Sequence, residues 1–398
     1  MKLTLRQQIT QFSHLLQTTL FPILQDELGA LTPPAKRLVA TLEMIPLARF
    51  VPSSRGWIGR PSKDRLAIAS AFVAKAVYGF ALTRQLLDAL ASDAQLRRIC
   101  GWKEPWQVPH ESTFSRAFDE FARMELPQFV HETLIRETQK DRLIGHIARD
   151  STAIEAREHY PETPAQKAAK AAVKAARRRG RKKGTGGPHK RYRGGKRPYV
   201  PKSDTRLARQ REMKLPQMLA DLPRQCDLGG KKDSHGNDHY WRGYKLHWDV
   251  ADGQIPISAV LTSASLHDSQ VAIPLATMST QRVTYCYALM DAAYEAHHIV
   301  EQSRQLGHVP IVDPKAPGGP KSKAKAIPMG KRKRELTWAE QDRYKERTMV
   351  ERVNARLKDE FGGRNVRVRG AAKVMAHLMF GILALTADQI LRMVVRRV

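Results

Sequence analysis

The stretch RGYKLHWDVADGQIPISAVLTSAS, residues 242–265, reads as two strands joined by a tight turn. Residues 242–251 and 255–265 are rich in aromatic, aliphatic and β-branched side chains. Asp252-Gly253 between them is a strong hairpin signal, because glycine accepts the positive φ that such turns need. Working outward, LIGHIARD (143–150) is a short apolar run ending on an acid, as a buried strand would. DSQVAIPLATM reads as helix, and YCYALMD (285–291) is a second apolar run that stops at an aspartate. AYEAHHIVEQSRQL is amphipathic, GHVPIVDP is a last short strand, and RYKERTMVERVNARLKDEFGG (343–363) is a charged helix. The order is strand, two hairpin strands, helix, strand, helix, strand, helix. That alternation predicts an α/β fold with a mixed sheet and helices packed on it.

Residues 1–140 read as a separate all-helical domain, and 141–398 as the α/β domain. LRQQITQFSHLLQTTLFPIL and KDRLAIASAFVAKAVYGFAL carry apolar residues at three- and four-residue spacing. TRQLLDALASDAQLRRICGW runs towards Pro109, and HESTFSRAFDEFARM starts a fresh helix with Ser112 as its expected N-cap and Arg116 in its first turns. The helix pair suits a helix-turn-helix-like DNA reader with Arg116 near the DNA; a plain helical bundle would read the same way.

Charge narrows the partner. Lys+Arg 68 against Asp+Glu 39 gives +29, which favours a polyanion, most simply nucleic acid. The N-terminal residues lack the continuous apolar region of a signal peptide, and Val374 to Ala387 is too short to span a bilayer. No membrane partner is therefore expected. Three dispersed cysteines without CxxC suit a reducing cytoplasm. Two basic inserts interrupt the α/β pattern, at about 160–235 and about 314–336. From Lys167 to Arg197 there are fourteen Lys or Arg and no acid, which predicts a flexible phosphate-binding arm rather than a mere linker.

At about 100° per residue, Tyr344, Arg347, Glu351 and Lys358 fall within a sector of roughly 60°. Val350, Val353, Leu357 and Phe361 form a separate apolar sector. The helix can seat this apolar face on a sheet and aim Glu351 along an edge, framed by cations and a tyrosine. Ion pairs on a solvated surface would explain the same charges. The two strands ending on Asp150 and Asp291 tilt the choice. Three converging carboxylates repel one another unless cations sit between them. Hard oxygen ligands select Mg²⁺ or Mn²⁺, and two such ions about 4 Å apart suit in-line displacement at phosphorus. Arg347 and Lys358 would then hold backbone phosphates, with Tyr344 beside the scissile strand.

The spacing Tyr344, Arg347, Glu351, Lys358 resembles the Tyr-Arg-Glu-Lys signature of bacterial insertion-sequence transposases of the DDE class. ARDSTAIEA is similar to the family's first-aspartate segment, and YALMDAAYEA to its second. GYKLHWDVADG, SASLHDSQ and VPHESTFSRAF resemble further family segments. The resemblance covers nearly the whole chain outside the basic inserts. It implies an RNase H-like catalytic core with Asp150, Asp291 and Glu351 as catalytic metal ligands, and Mg²⁺ as cofactor. It also implies double-stranded DNA partners, namely the terminal inverted repeats and a target, and a homodimer in a synaptic complex at the nucleoid. Some members carry a large insertion between the second Asp and the Glu. Here only 59 residues separate Asp291 from Glu351, and the long insert follows the first strand. A nuclease that cuts without joining, or a DNA-binding relative with idle carboxylates, are the alternatives. Asp268, where a strand gives way to a helix, reads as a helix cap.

Overall fold

The computed structural model describes residues 26–51, 63–158, 168, 171, 205–232, 237–313 and 336–395. The first expected helix, nearly all of the Lys167–Arg197 run and residues 314–335 of the second insert lie outside the described residues.

The hairpin forms as its sequence dictates. Strands β3 (Asp238–Ala251) and β4 (Ile255–Ser263) pair antiparallel, with Ala251 opposite Ile255. Gly253 takes φ +84 at the turn, a conformation that favours glycine, and packs against the end of the Met393 side chain. The Asp252 carboxylate accepts from the His146 N–H at 2.8 Å and ties the turn to the first strand, β1 (Leu143–Glu155). β1 pairs antiparallel with β3 on one side and parallel with β5 (Thr284–Met290) on the other; β5 in turn pairs parallel with β6 (Val309–Val312). β2 (Asp227–Lys232) joins the start of β3, completing a six-stranded mixed sheet.

Among the described residues, six helices precede the sheet: α1 (Pro33–Met44), α2 (Arg65–Val77), α3 (Thr83–Ser92), α4 (Ala94–Cys100), α5 (Glu111–Arg123) and α6 (Leu126–Gln139). Two short ones, α7 (Arg206–Glu212) and α8 (Leu215–Ala220), lead into β2. After the hairpin the described residues form α9 (Ala272–Thr280), α10 (His297–Gln305), α11 (Trp338–Tyr344), α12 (Thr348–Asp359) and α13 (Ala371–Val395).

Alternation along the strands builds two apolar layers. Ala148, Leu246, Trp248 and Leu289 share a core with Val350, Val353 and Leu357 of α12 and with α13. Ile147, Ala288 and Met290 face the other way, against Ala272 and Ile273 of α9 and Ile299 of α10. α13 also lies against α1, α2, α5 and α6, so the last helix crosses the expected boundary at residue 140. Phe380 on α13 meets Phe72 on α2 at 5.6 Å between centroids, with Phe118 and Phe121 of α5 close by. α13 is long and apolar enough to cross a membrane, longer than the apolar stretch suggests. Yet 83% of its apolar window is buried inside the protein, as befits a core helix.

Several expectations are corrected. Residues 205–232, assigned to the basic insert, fold as α7, α8 and β2. The strand expected to end at Asp150 continues to Glu155, because Thr152 and Ile154 pair with Leu246 and Tyr244. The N-cap of α5 is His110, whose Nδ1 accepts from the Ser112 N–H at 3.2 Å; Ser112 itself lies in the first turn. Arg116 is exposed on that helix and donates to the Ser112 carbonyl at 3.2 Å.

Candidate active site

β1 and β5 run side by side with Arg149 level with Met290. The next residues, Asp150 within β1 and Asp291 just past β5, are therefore neighbours across the strand pair. Asp291 Oδ1 accepts from the Ala293 N–H at 2.9 Å and opens a short 3₁₀ turn, Ala292–Tyr294. Its position after a buried strand is as the sequence suggests.

Burial pushes the Asp150 carboxyl up to about 6. The Ser151 N–H and Arg347 oppose the rise, while Asp291 and Asp268 add to it. Burial likewise raises Asp291, against the Ala293 N–H and Arg347. Arg347 is thus the cation that bears on both aspartates. Its own pKa is raised: Tyr344, Asp150, Glu351 and Asp291 together outweigh the effect of burial.

The helix that carries Arg347 is not one continuous α-helix. α11 gives way to a 3₁₀ turn, Lys345–Arg347, before α12 starts at Thr348. The apolar sector nevertheless lands as the spacing predicts. Val350, Val353, Leu357 and Phe361 are all buried, and this seats α12 over β1 and β3. Glu351 projects from the polar side, with its side chain 55% exposed, and accepts from Arg347 Nη2 at 2.8 Å. The Arg347 guanidinium also lies 5.7 Å from the Tyr344 ring centre. Burial pushes the Tyr344 hydroxyl up to about 12.

The register thus sets Asp150 beside Asp291, and Arg347, which is bonded to Glu351, acts electrostatically on both aspartates. Among the described residues no group of three His, Cys, Asp or Glu side chains is placed to hold one metal ion. Lys358 lies farther along the helix, among Lys231, Arg364 and Glu155. Burial lowers its pKa, and the two neighbouring cations add to the effect.

Three further residues bear on the site, and the first, Asn354, escapes the sequence reading. Asn354 Nδ2 donates to Asp150 Oδ2 at 3.2 Å and its Oδ1 accepts from Trp248 Nε1 at 3.0 Å. Seven residues past Arg347, it falls within about 20° of that residue around an ideal helix, so periodicity could have found it. Asp268 does not cap a helix; His267 does, accepting from Ser269 N–H. Asp268 instead accepts from Lys245 Nζ at 2.9 Å. Burial would raise its pKa, but His247 and Lys245 hold it below the usual range. Asp249, one residue past Trp248 on β3, is fully buried. It takes a bidentate pair from Arg149, 2.8 Å at each oxygen, and a 2.7 Å bond from Ser279.

Two family models match the chain. One described as a transposase DDE domain matches residues 203–387, and one described as Transposase domain (DUF772) matches residues 26–120. The first includes Asp268, Asp291, Arg347, Glu351 and Asn354 and begins beyond Asp150. No curated protein and no solved structure matches.

Proposed function

The chain belongs to the insertion-sequence transposases of the DDE class, and we propose that it binds the terminal inverted repeats of its element and catalyses DNA cleavage and strand transfer. Asp150, Asp291 and Glu351 are the proposed catalytic carboxylates. The observation that carries this reading is the parallel register of β1 and β5, which sets Asp150 beside Asp291 next to Arg347. The sheet supports an RNase H-like core. Three antiparallel strands, β4, β3 and β1, are continued by two parallel ones, β5 and β6.

The donor set fits a divalent cation. Two adjacent carboxylates offer hard oxygen ligands, and both have raised pKa values where a cation would favour the ionised form. Asp150 and Asp291 would hold Mg²⁺, or Mn²⁺ in its place, and Glu351 would join them on leaving Arg347. When bound, two such ions would activate the attacking oxygen and stabilise the leaving one.

In the proposed first step a water oxygen attacks phosphorus at the transposon end, the P–O3′ bond breaks, and a 3′-hydroxyl is freed. In the second that hydroxyl attacks a target phosphate and displaces the target's own 3′ oxygen. The first step hydrolyses one phosphodiester, leaving a 5′-phosphate, and the second exchanges one phosphodiester for another, the attacking hydroxyl's proton passing to solvent and the leaving 3′ oxygen taking one up, so no energy source is needed. Arg347 and Lys358 hold strand phosphates, and Tyr344 stacks or hydrogen-bonds beside the scissile strand. Arg116 contacts end DNA from α5, and the Lys167–Arg197 run adds sequence-blind affinity. The protein acts as a homodimer in a synaptic complex at the bacterial nucleoid.

Incubating purified protein with DNA carrying the element's ends, with and without Mg²⁺, tests this reading. Joined products that require Mg²⁺ support it. Cutting without joining would point to a nuclease, and binding alone to a catalytically idle relative.

A further inference from the structure

We propose that Asn354 is a positioning residue that locks the orientation of Asp150 and fixes α12, with Glu351 one turn away, against the strand that carries Asp150. The inference rests on the reading of Asp150 as a cation ligand.

Trp248 stands directly opposite Asp150 in the β1–β3 register and is fully buried. Its indole Nε1–H donates to Asn354 Oδ1 at 3.0 Å. An indole nitrogen can only donate, so the amide oxygen must face Trp248. The amide nitrogen is then turned the other way, onto Asp150 Oδ2 at 3.2 Å. The chain indole, amide, carboxylate runs in one direction, and every member has a single possible role. Trp248 is held by the core, so it orients Asn354, and Asn354 orients the carboxylate. Val350 and Val353 press the same helix onto the sheet but, being apolar, do not set its rotation against a particular oxygen. Asn354 supplies that directional tie. Partners of this kind behind a metal ligand typically change metal affinity by about 10–100-fold when removed.

The test uses the full chain and Mn²⁺ alone, with binding read by calorimetry or electron paramagnetic resonance and thermal melting measured in parallel. Asn354→Leu keeps a similar volume and removes the donor. Its Mn²⁺ affinity should fall by about 10-fold or more. Trp248→Phe frees the amide to turn and should weaken binding in the same direction. The double variant should be no worse than Asn354→Leu, because the two residues act through one chain of bonds. If Asn354→Leu fails to fold, Trp248→Phe alone decides by the same criterion. Mn²⁺ affinity at the wild-type value in the folded variant, with only melting lowered, would overturn the proposal. Asp150→Asn is the control for the underlying reading. Mn²⁺ binding unchanged in Asp150→Asn, or absent from the wild type, would sink the cation site itself.

Discussion

Arg347 Nη2 donates to Glu351 Oε1 at 2.8 Å, while the same guanidinium offsets the raised pKa values of Asp150 and Asp291. One arginine thus holds the exposed acid and partly offsets the cost of charging the other two. A divalent cation at the aspartates would compete with that charge. Arg347→Gln should therefore let added Mg²⁺ stabilise the protein more than it stabilises the wild type. The Mg²⁺-induced rise in melting temperature should grow by roughly 2–4 °C, the shift that about 1 kcal/mol produces in a domain of 150–250 residues. An equal or smaller rise would mean that Arg347 and the cation do not share the site.

Asp291 and Asp268 are separable by mutation. Asp291→Asn should bind DNA, keep its fold and lose Mg²⁺-dependent cleavage. Asp268→Asn should retain measurable cleavage and lose stability instead, because Lys245 then loses its charged partner at 2.9 Å. Urea unfolding should report a loss of roughly 1–3 kcal/mol. An inactive Asp268→Asn of normal stability, beside an active Asp291→Asn, would reverse the two roles.

Beneath the site, Asp249 and Arg149 form an ion pair in which both side chains are almost wholly buried. Asp249→Ala leaves the guanidinium buried without its counter-charge. Denaturation should show a loss of about 3–5 kcal/mol. A cost below about 1 kcal/mol would show that water or another group reaches Arg149.

Asp150 gives the protein a pH signature in metal-free buffer. Its folded pKa, raised to about 6 chiefly by burial, lies above the ordinary aspartate value of about 3.9. Between those two values the folded state holds the proton and the unfolded state does not. The stability associated with this group is fully present below about pH 4 and is lost as pH rises through about 6. Asp291, shifted in the same direction, adds to the trend. Wild-type stability should fall relative to that of Asp150→Asn as pH rises across that window, because the amide does not titrate. A difference independent of pH would contradict the buried-carboxylate environment.

Much of this arrangement is legible in the sequence, and the exceptions have physical causes. The hairpin is readable because Asp252-Gly253 is a local signal, and the seat of α12 because Val350, Val353 and Leu357 repeat at helical spacing. Asp291 stands out because the strand before it is apolar on both faces. β2 is hidden because Gly229 and Gly230 look like turn residues. Their missing side chains instead admit the rings of Trp241 and Tyr240 from the facing strand. A Cβ at Gly229 would lie 2.5 Å from the Trp241 ring, and one at Gly230 2.9 Å from the Tyr240 ring. Asp268 misleads because its partner, Lys245, is distant in sequence, while the adjacent helix start supplies a local explanation. Arg149 and Asp249 pair across two strands, which no local pattern encodes.

The most direct measurement compares wild type with Glu351→Gln on DNA carrying the element's ends, following binding, cleavage and joining with and without Mg²⁺. Glutamine keeps the size of the side chain and its helix propensity while removing the charge. Binding should survive, and both Mg²⁺-dependent cleavage and joining should be lost. Cleavage by Glu351→Gln within a few fold of wild type, at about the strength expected of a surface ion pair's minor role, would return Tyr344, Arg347, Glu351 and Lys358 to an ordinary charged helix face.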